Sequence, residues 1–454
     1  MVFKRNAMYQ FDEQIARIKI KLKAAEQTDK ALTAFGAQTH QYILHQPLSV
    51  TALLDFETRY KIVLPECYKA FLLLVGNGGV SYADSAAGPF YGIYPLGTGV
   101  DDLTNAPEKY LGAPVKIYPD ITIDAWQHLI KETEEDDISD EAYDAALGNI
   151  YAGILPIGSQ GCTYVHGLVL NGEHAGRVIN LDTDGQRPQF CFEDNFLDWY
   201  ERWLDEILSE DLLTDAAPWF GYTMGGSVEL LLNKYHAAID PLVKHQCIRG
   251  ILSKRSISPV MITLLEKAYQ DADPAYQQEW LGVLTKFNYQ LAKPHLLAYS
   301  AINPLPVLQF VWWYAKDKSA EWQALITESL RGVTDEETFR FCGYLLLESN
   351  IDYVPLIIPL TTHKNPQIRV SAFYLLGKIA NKAAYLDVFI QGLHDPANEV
   401  IHTTLQALSG VKDKRLIPAY QQLTARFPME QDYILSNLSL RLEDMGISIS
   451  ELKQ

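Results

Sequence analysis

The sequence predicts an α+β domain followed by an all-helical repeat array. Three observations carry this expectation. An Asx-Pro dipeptide recurs at near-regular intervals from about residue 225 onward. Short apolar runs alternate with Gly and Asp turns between Ile154 and Phe192. The charge also changes along the chain. Through Asp215 there are 16 Lys and Arg against 33 Asp and Glu, a net of −17; the remaining residues have 22 against 23, a net of −1. Two stretches so different in charge point to two domains with different tasks. The 454 residues suffice for two or three domains. The expected layout is an N-terminal helix over 1–34, an α+β domain over 35–215, a linker over 216–228, and a repeat array over 229–454. Pro218, Gly221, Gly225 and Gly226 mark the linker.

The N-terminal segment places Phe11, Ile15, Ile18, Leu22 and Ala25 at steps of four and three, with Arg17, Lys19, Lys21 and Lys23 between them. That spacing predicts a mixed-charge amphipathic helix; Met1 to Arg5 lead into no apolar core of a signal peptide. Leu64 to Leu74 reads as a second helix. Pro65 stands at its first position, Glu66 at the positive end of its dipole, and Tyr68, Phe71, Leu72 and Val75 on its buried face. Gly76-Asn77-Gly78-Gly79 ends it with residues tolerant of positive φ. The glycine-punctuated stretch Gly88 to Gly97 suggests short strands. Ile154–Gly158, Val165–Leu170, Gly176–Asp182 and Pro188–Phe192 then predict an antiparallel meander. Phe196, Trp199, Tyr200, Trp203, Leu204 and Ile207 form the stripe of a closing helix.

In the second half the markers are Asp240-Pro241, Asp273-Pro274, Asn303-Pro304, Asp335-Glu336, Asn365-Pro366, Asp395-Pro396 and Phe427-Pro428, with steps of 33, 30, 32, 30, 30 and 32. Asp or Asn caps the free N–H groups of a helix start, and Pro at the first helical position loses no bond. Each pair is therefore expected to open a helix. The tenth residue after each marker is Ile251, Leu284, Tyr314, Leu346, Leu376, Gln406 and Leu438; the seventh is Ile248, Leu281, Val311, Gly343, Phe373, Thr403 and Leu435. A second apolar stripe follows in most units, as in Trp322, Leu325, Ile326 and Leu330, in Tyr385, Val388, Phe389 and Leu393, or in Leu416, Ile417, Tyr420 and Leu423. Two short helices per unit make an α-solenoid of about seven helix pairs. Trp312-Trp313 lies at core spacing within a helix, so both rings are expected in the core.

These units resemble HEAT-like repeats of the short kind. Asn365-Pro366-Gln367-Ile368-Arg369-Val370, followed by Ala372, Leu375, Leu376 and Gly377, carries the likeness; Asp395 to Val400 is a weaker copy with Glu399 where the family usually has Arg. The N-terminal half resembles the SUKH superfamily of immunity proteins and a fungal cell-wall-synthesis regulator, over about residues 35–210. The residues that carry this are Leu64, Pro65, Glu66 and Tyr68, then Asn77, Gly78 and Gly79, then Leu155-Pro156-Ile157-Gly158. Gly176, Val178 and Asp182 follow, and then Phe196, Trp199 and Trp203 of the closing helix. Two departures stand out: the long acidic stretch between Leu103 and Asn149, which reads as an insertion, and Gln160-Gly161-Cys162. The hallmark residues Leu64, Pro65, Tyr68, Asn77, Gly78, Gly79, Pro156, Gly158, Gly176, Asp182 and Trp199 are turn and core types, so a structural role is expected of them. The resemblance implies binding, since immunity members plug a toxin's active site.

Other chemistries fit the residues poorly. Asp182-Thr183-Asp184-Gly185 begins like a calcium loop, but Gln186, Arg187 and Pro188 follow where ligands are needed, so a polar hairpin turn is expected. Gly158-Ser159-Gln160-Gly161 lacks nucleophile-elbow spacing. His166 and His174 have no third ligand at usable spacing, and no phosphate-cradling glycine loop occurs. No His is followed by Glu, as HEAT-type iron hydroxylases would require. A HEAT-type DNA glycosylase would use a basic aromatic groove; Trp280, Trp312, Trp313 and Trp322 supply rings, but the half that holds them is nearly neutral. The five cysteines, Cys67, Cys162, Cys191, Cys247 and Cys342, have no metal or redox spacing and suit a reducing compartment. No apolar run approaches the ~18 residues of a membrane span.

Glu132, Glu134, Glu135, Asp136, Asp137, Asp140, Glu141 and Asp144 are the sharpest remaining feature. Their plain reading is a solvated helix or loop; their functional reading is an edge for a basic protein, because like-charged clusters steer cationic partners. The expectation is a non-catalytic, cytoplasmic immunity protein without cofactor or metal. Its partner would be a basic toxin domain, with neither nucleic acid nor membrane as a direct partner. A cytoplasmic scaffold using the solenoid is the second reading and a solenoid glycosylase the third.

Overall fold

The computed structural model describes residues 10–135, 137–214, 220–427 and 432–452. Met1 to Arg5, Asp136, Pro218 and Pro428 lie outside them. The chain divides into two compact units, Met1–Met261 and Ile262–Gln454.

The first unit opens with α1 (Asp12–Thr28), which buries Ile15, Ile18 and Ala25 as its spacing predicted. Its basic residues have a purpose the pattern alone did not show. Arg17 and Lys21 reach Glu201 at 2.9 Å each, and Lys21 reaches Asp205 at 2.6 Å, all on the closing helix. Burial would raise the Glu201 carboxyl, but hydrogen bonds from Arg17, Lys21 and Gln14 outweigh it and hold it at about 2. Next come α2 (Val50–Tyr60), capped by Ser49, and α3 (Glu66–Leu74). Pro65 sits one position earlier than expected, at the cap of α3, where its carbonyl accepts from Tyr68 and Lys69.

Four strands follow: β1 (Ile154–Gly161), β2 (Tyr164–Val169), β3 (Val178–Asp182) and β4 (Gln189–Phe190). They form the antiparallel meander that the turns predicted, in the order β1-β2-β3-β4. The short strands expected within Gly88 to Gly97 do not form as such. One bridge, Ala86 to Ile93, stands in their place, and Tyr91 and Tyr94 donate to Ser159 and Ile157 of β1. The reason is local: Phe90, Gly92 and Gly97 all take positive φ, which breaks a ladder.

Alternation along the strands splits their side chains between two cores. Leu155, Ile157, Leu168 and Val178 face α1, α3 and the closing helix α6 (Phe196–Leu208). Ile154, Val169, Ile179 and Leu181 face the other way, onto Trp126, Ile130, Ile150 and Tyr151. Trp126 and Ile130 belong to the acidic stretch, whose later part folds as α4 (Ile123–Ile130) and α5 (Asp140–Ile150); Ile150 and Tyr151 stand at its far end. What reads as an insertion therefore supplies the second layer of the sheet. Trp126 Nε1 also donates to Gly185 O at 2.8 Å, tying α4 to the β3–β4 turn.

The repeat helices continue to the C-terminus. They are α7 (Val228–Ala237), α8 (Pro241–Leu252), α9 (Pro259–Gln270), α10 (Pro274–Phe287), α11 (Tyr289–Ser300), α12 (Pro304–Tyr314) and α13 (Gln323–Arg331). Then come α14 (Glu336–Glu348), α15 (Pro366–Leu376), α16 (Leu386–Leu393), α17 (Asn398–Ala407), α18 (Ile417–Arg426) and α19 (Asp432–Asp444). The Asx caps work as expected at Asp240, Asp273, Asp335 and Asn365, each accepting a backbone N–H of the first turn. Asn303 holds the cap position without a side-chain bond.

Asp395-Pro396 corrects the pattern. The helix opens later, at Asn398, with Ala397 at its cap. Asp395 still accepts from Ala397 N at 2.8 Å, and it is also gripped by the Arg369 fork of the preceding repeat, with both contacts at 2.7 Å. The buried register moves with the delayed start. Thr403 and Gln406, the expected core positions, are half-buried and exposed, while Thr404 and Ala407 are buried. In the other units Ile248, Ile251, Leu281, Leu284, Phe373 and Leu376 are buried as predicted. The Arg369–Asp395 pair is nine-tenths buried at both ends. Arg369→Ala strands Asp395 between two repeats, and urea denaturation is expected to show a loss of about 2–3 kcal/mol. A loss under about 0.5 kcal/mol would make the fork an ordinary surface pair.

The tryptophan pair also departs from expectation. Trp312 is half-buried, and Trp313 is 51% exposed. Val307, Leu308, Phe310 and Val311 make up the buried face of this helix, and Trp313 falls outside it.

Candidate functional site

The acidic stretch gives a continuous charged edge. Glu132 and Glu134 lie on a 3-10 turn, Lys131–Glu134, that continues α4. Glu135 and Asp137 follow, and Asp140 and Glu141 occupy the first turn of α5 behind the Ser139 cap. The six are exposed and Asp144 is half-buried; Asp136 lies outside the described residues. Asp140 and Glu141 have a local use, since carboxylates favour a helix N-terminus. The others stand free of ion pairs among the described residues. Trp126 and Ile130 beneath them are buried on the sheet, so the edge is held by a packed layer.

The hallmark residues are built into the fold. Leu64 and Tyr68 are buried, and Leu64 donates to Glu57 Oε1 at 2.7 Å. Asn77 Oδ1 accepts from Leu96 N at 2.8 Å, so its amide shapes a turn. Gly79 packs so closely that a Cβ would lie 2.6 Å from Ser85 O; Gly78 has φ +77. Pro156 opens the bulged part of β1, and a Cβ on Gly158 would lie 2.3 Å from Gly92 O. Gly176, at φ +93, donates to Val169 O and accepts from Phe196 N. Asp182 caps the β3–β4 turn by accepting from Asp184 N at 3.1 Å, the polar hairpin the sequence suggested. Trp199 is fully buried.

Behind the sheet lies a buried polar cluster. His166 on β2 is fully buried, with Nδ1 3.1 Å from Gln160 Nε2 and 3.2 Å from Asn180 Oδ1. Gln160 also donates to Asn180 Oδ1 at 2.8 Å and accepts from Tyr222 OH at 3.0 Å. Gln160, where the sequence leaves the family pattern, thus joins β1, β2, β3 and Tyr222. His166 Nε2 has no partner and faces the Trp199 ring, 5.0 Å away. Burial therefore depresses the imidazole to about 3, against the pull of Asn180. Neutral, enclosed and walled off from solvent, it is a core group, distinct from the acidic edge.

A surface cleft of about 750 Å³ went unread in the sequence. Thr39, Val80, Ser81, Tyr82, Tyr91, Ser159, Gly161 and Cys162 line it. Tyr82 and Val80 are 63% and 48% exposed. Only their turn setting after Gly79 hinted at it. Among the described residues no cluster of three His, Cys, Asp or Glu is placed to hold a metal ion, and no helix is long and apolar enough to cross a membrane.

No curated protein gives a significant match to this chain. A meander closed by an aromatic helix, with Leu64, Asn77, Gly79, Gly158 and Trp199 at its structural joints, is the arrangement that the family resemblance implied. Residues 47–202 match the model of the SMI1 / KNR4 family (SUKH-1), so this stretch carries the SUKH resemblance from Leu64 through Trp199.

Proposed function

We propose that this chain is a non-catalytic immunity protein that neutralises a basic toxin domain by binding it through the edge Glu132 to Asp144. The helical array that follows in the chain, which we read as HEAT-like and as beginning near residue 229, serves as a support or second contact surface. The observation that carries the reading is the set of exposed carboxylates, unpaired among the described residues, in a stretch that matches an immunity-type family. A nuclease toxin needs a cationic face to hold phosphates, and such a face complements this edge. Cytoplasmic residence follows from the same reading.

The test uses the full chain and a basic toxin domain, sought first among the genes that adjoin its own. Replacing Glu132, Glu134 and Glu135 by Gln and Asp137 by Asn is expected to slow association roughly tenfold or more at low salt and to flatten its salt dependence. These side chains are exposed, so the melting temperature should hold. Binding that survives with unchanged salt dependence would remove the edge from the proposal. Complete failure of the unmodified chain to bind would remove the immunity reading itself.

A further inference from the structure

Two turns of the second unit line a cavity of about 480 Å³. Residues 380–383, between α15 and α16, form one wall, and residues 409–413, between α17 and α18, form the other. The two walls are the same joint of successive repeats, each linking a first helix to its second. Lys382 ties them together, because its Nζ donates to Ser409 O at 3.2 Å. Gly410 turns the second wall at φ +78, and its N–H reaches Asp444 Oδ2 of α19 at 3.4 Å. A cavity of this size takes a small molecule.

The surroundings are cationic, in a chain of net charge −18. Lys382 and Lys412 stand in the walls, with Lys378 and Lys414 close by in sequence. Among the described residues none of these four lysines makes an ion pair. Carboxylates are near, but they are engaged elsewhere. Asp413 is gripped by Arg415 through both oxygens, at 2.8–3.2 Å. Its hydrogen bonds raise the Arg415 guanidinium, and Asp387 adds to that rise. Asp444 lies 3.4 Å from Arg441 Nε, and Glu443 accepts from Ser439 Oγ at 3.3 Å. Over the segments 378–387, 409–415 and 441–444, six cations stand against four carboxylates, an excess of two positive charges. Burial, and then the charges of Arg441 and Lys378, hold the half-buried Lys382 ammonium below the usual lysine value. Like charges are thus brought together around the cavity with no free carboxylate to balance them.

The chemistry of these groups narrows the occupant. A phosphomonoester carries about −1.5 to −2 charges at neutral pH on three acceptor oxygens, which matches the excess. Lysine binds phosphate as a point charge, from any side. A carboxylate brings a single charge and is best met by a guanidinium fork; here the fork of Arg415 is already filled by Asp413. We propose that the cavity between residues 380–383 and 409–413 binds a small phosphomonoester of sugar or nucleotide size. Lys382 and Lys412 hold its phosphate, in the field of Lys378, Lys414 and Arg441. A nucleic-acid strand would need a cationic track longer than one cavity. This site is separate from the acidic edge and does not depend on the function proposed for it.

The experiment titrates the full-length chain calorimetrically with glucose 6-phosphate and with AMP, at constant ionic strength. Glucose, adenosine and acetate are the controls. Saturable binding of at least one of the two phosphates is expected, at one site per chain, with no binding of the controls. Lys382→Gln and Lys412→Gln should each weaken it about tenfold. Lys267→Gln, on α9 and paired with Asp271 at 2.8 Å, should change nothing. Lys412 is exposed, so its variant should melt with the parent chain and keeps the test decisive if Lys382→Gln disturbs its turn. No binding of either phosphate, acetate binding as tightly as the phosphates, affinity indifferent to Lys412, or an equal loss in Lys267→Gln would each overturn the proposal.

Discussion

Arg202→Ala is expected to destabilise the first unit by about 3–5 kcal/mol, among the largest effects of any single surface-to-core charge in the chain. Arg202 is 8% exposed on α6 and makes three charge-assisted contacts. Nε donates to Glu206 at 2.9 Å, Nη1 to Glu193 at 2.7 Å and Nη2 to Thr223 O at 2.8 Å. Burial alone would lower its pKa, but Glu206 and Glu193 outweigh that and raise it. Removing the guanidinium leaves two carboxylates in a poorly solvated place, and Lys254, 3.7 Å from Glu206, already pairs with Asp211 at 3.1 Å. A Cβ on Gly225 would lie 2.0 Å from Arg202 Nε, so the loop has been fitted around this side chain. Arg202→Lys should recover little, because one ammonium cannot span three acceptors in a plane. Hydrogen exchange reads the outcome. Amides of β1 to β4 and α6 should lose protection, while those from α14 onward keep theirs. A stability loss below about 1 kcal/mol would show that the network is solvated enough to do without its centre.

Much of this architecture was legible in the sequence, and the places where it was not share a cause. The repeat period, the caps and the stripe could be read because each rests on local rules: capping, Pro at the first turn, helical spacing. The meander could be read because Gly and Asp turns bound apolar runs. The reading failed where a long-range partner overrode a local rule. Asp395 does accept a backbone N–H, from Ala397, but its carboxylate is also held by Arg369, 26 residues away, and the helix begins only at Asn398. Gly88 to Gly97 suggested short strands because glycines and prolines punctuate it, yet the positive φ of Phe90 and Gly92 turns it into an edge that borrows two bonds from β1. Trp313 was assigned to the core on spacing alone, and only the position of its neighbours shows that it faces outward.

The acidic stretch is a mixed case. Its charges could be counted, but the layer beneath them could not, because Trp126, Ile130 and Ile150 are too sparse to show periodicity of their own. The consequence is functional. The charged segment is backed by its own core, and if it binds as proposed, a backbone already ordered would lower the cost of binding. The same layer separates the edge from the hallmark residues on the opposite core. Substitutions at Asn77, Gly79 or Gly158 should therefore act through folding, and those at Glu132, Glu134, Glu135 and Asp137, on the function proposed above, through binding.

Acid should unfold the first unit earlier than its carboxylates alone require, because two histidines are locked neutral. Burial depresses His40 to about 4, against the opposing pull of Asp29, and depresses His166 to about 3. The geometry agrees. His40 Nδ1 accepts from Tyr42 N at 3.0 Å, so a proton there would oppose an existing donor. His40 Nε2 and His166 Nε2 are both buried without partners, so a full imidazolium would find too few acceptors. In the unfolded chain each histidine takes up a proton near 6.5. Below that pH the unfolded state binds more protons, so stability falls as pH falls, down to each folded value; above it the contribution is complete. At pH 5 the two together should withdraw roughly 4 kcal/mol relative to pH 7. Glu201 adds to the loss as pH falls below about 4.5, where the unfolded chain takes up a proton that the folded one, with Glu201 paired to Arg17 and Lys21, refuses down to about 2. Urea titrations at pH 7 and pH 5 measure the slope, and His166→Gln should roughly halve it while also lowering the pH 7 value. Proton NMR gives an independent check: of the 11 histidines, two should keep neutral-form shifts at pH 5. If all of them titrate near 6.5, the two imidazoles are solvated and the slope has another origin.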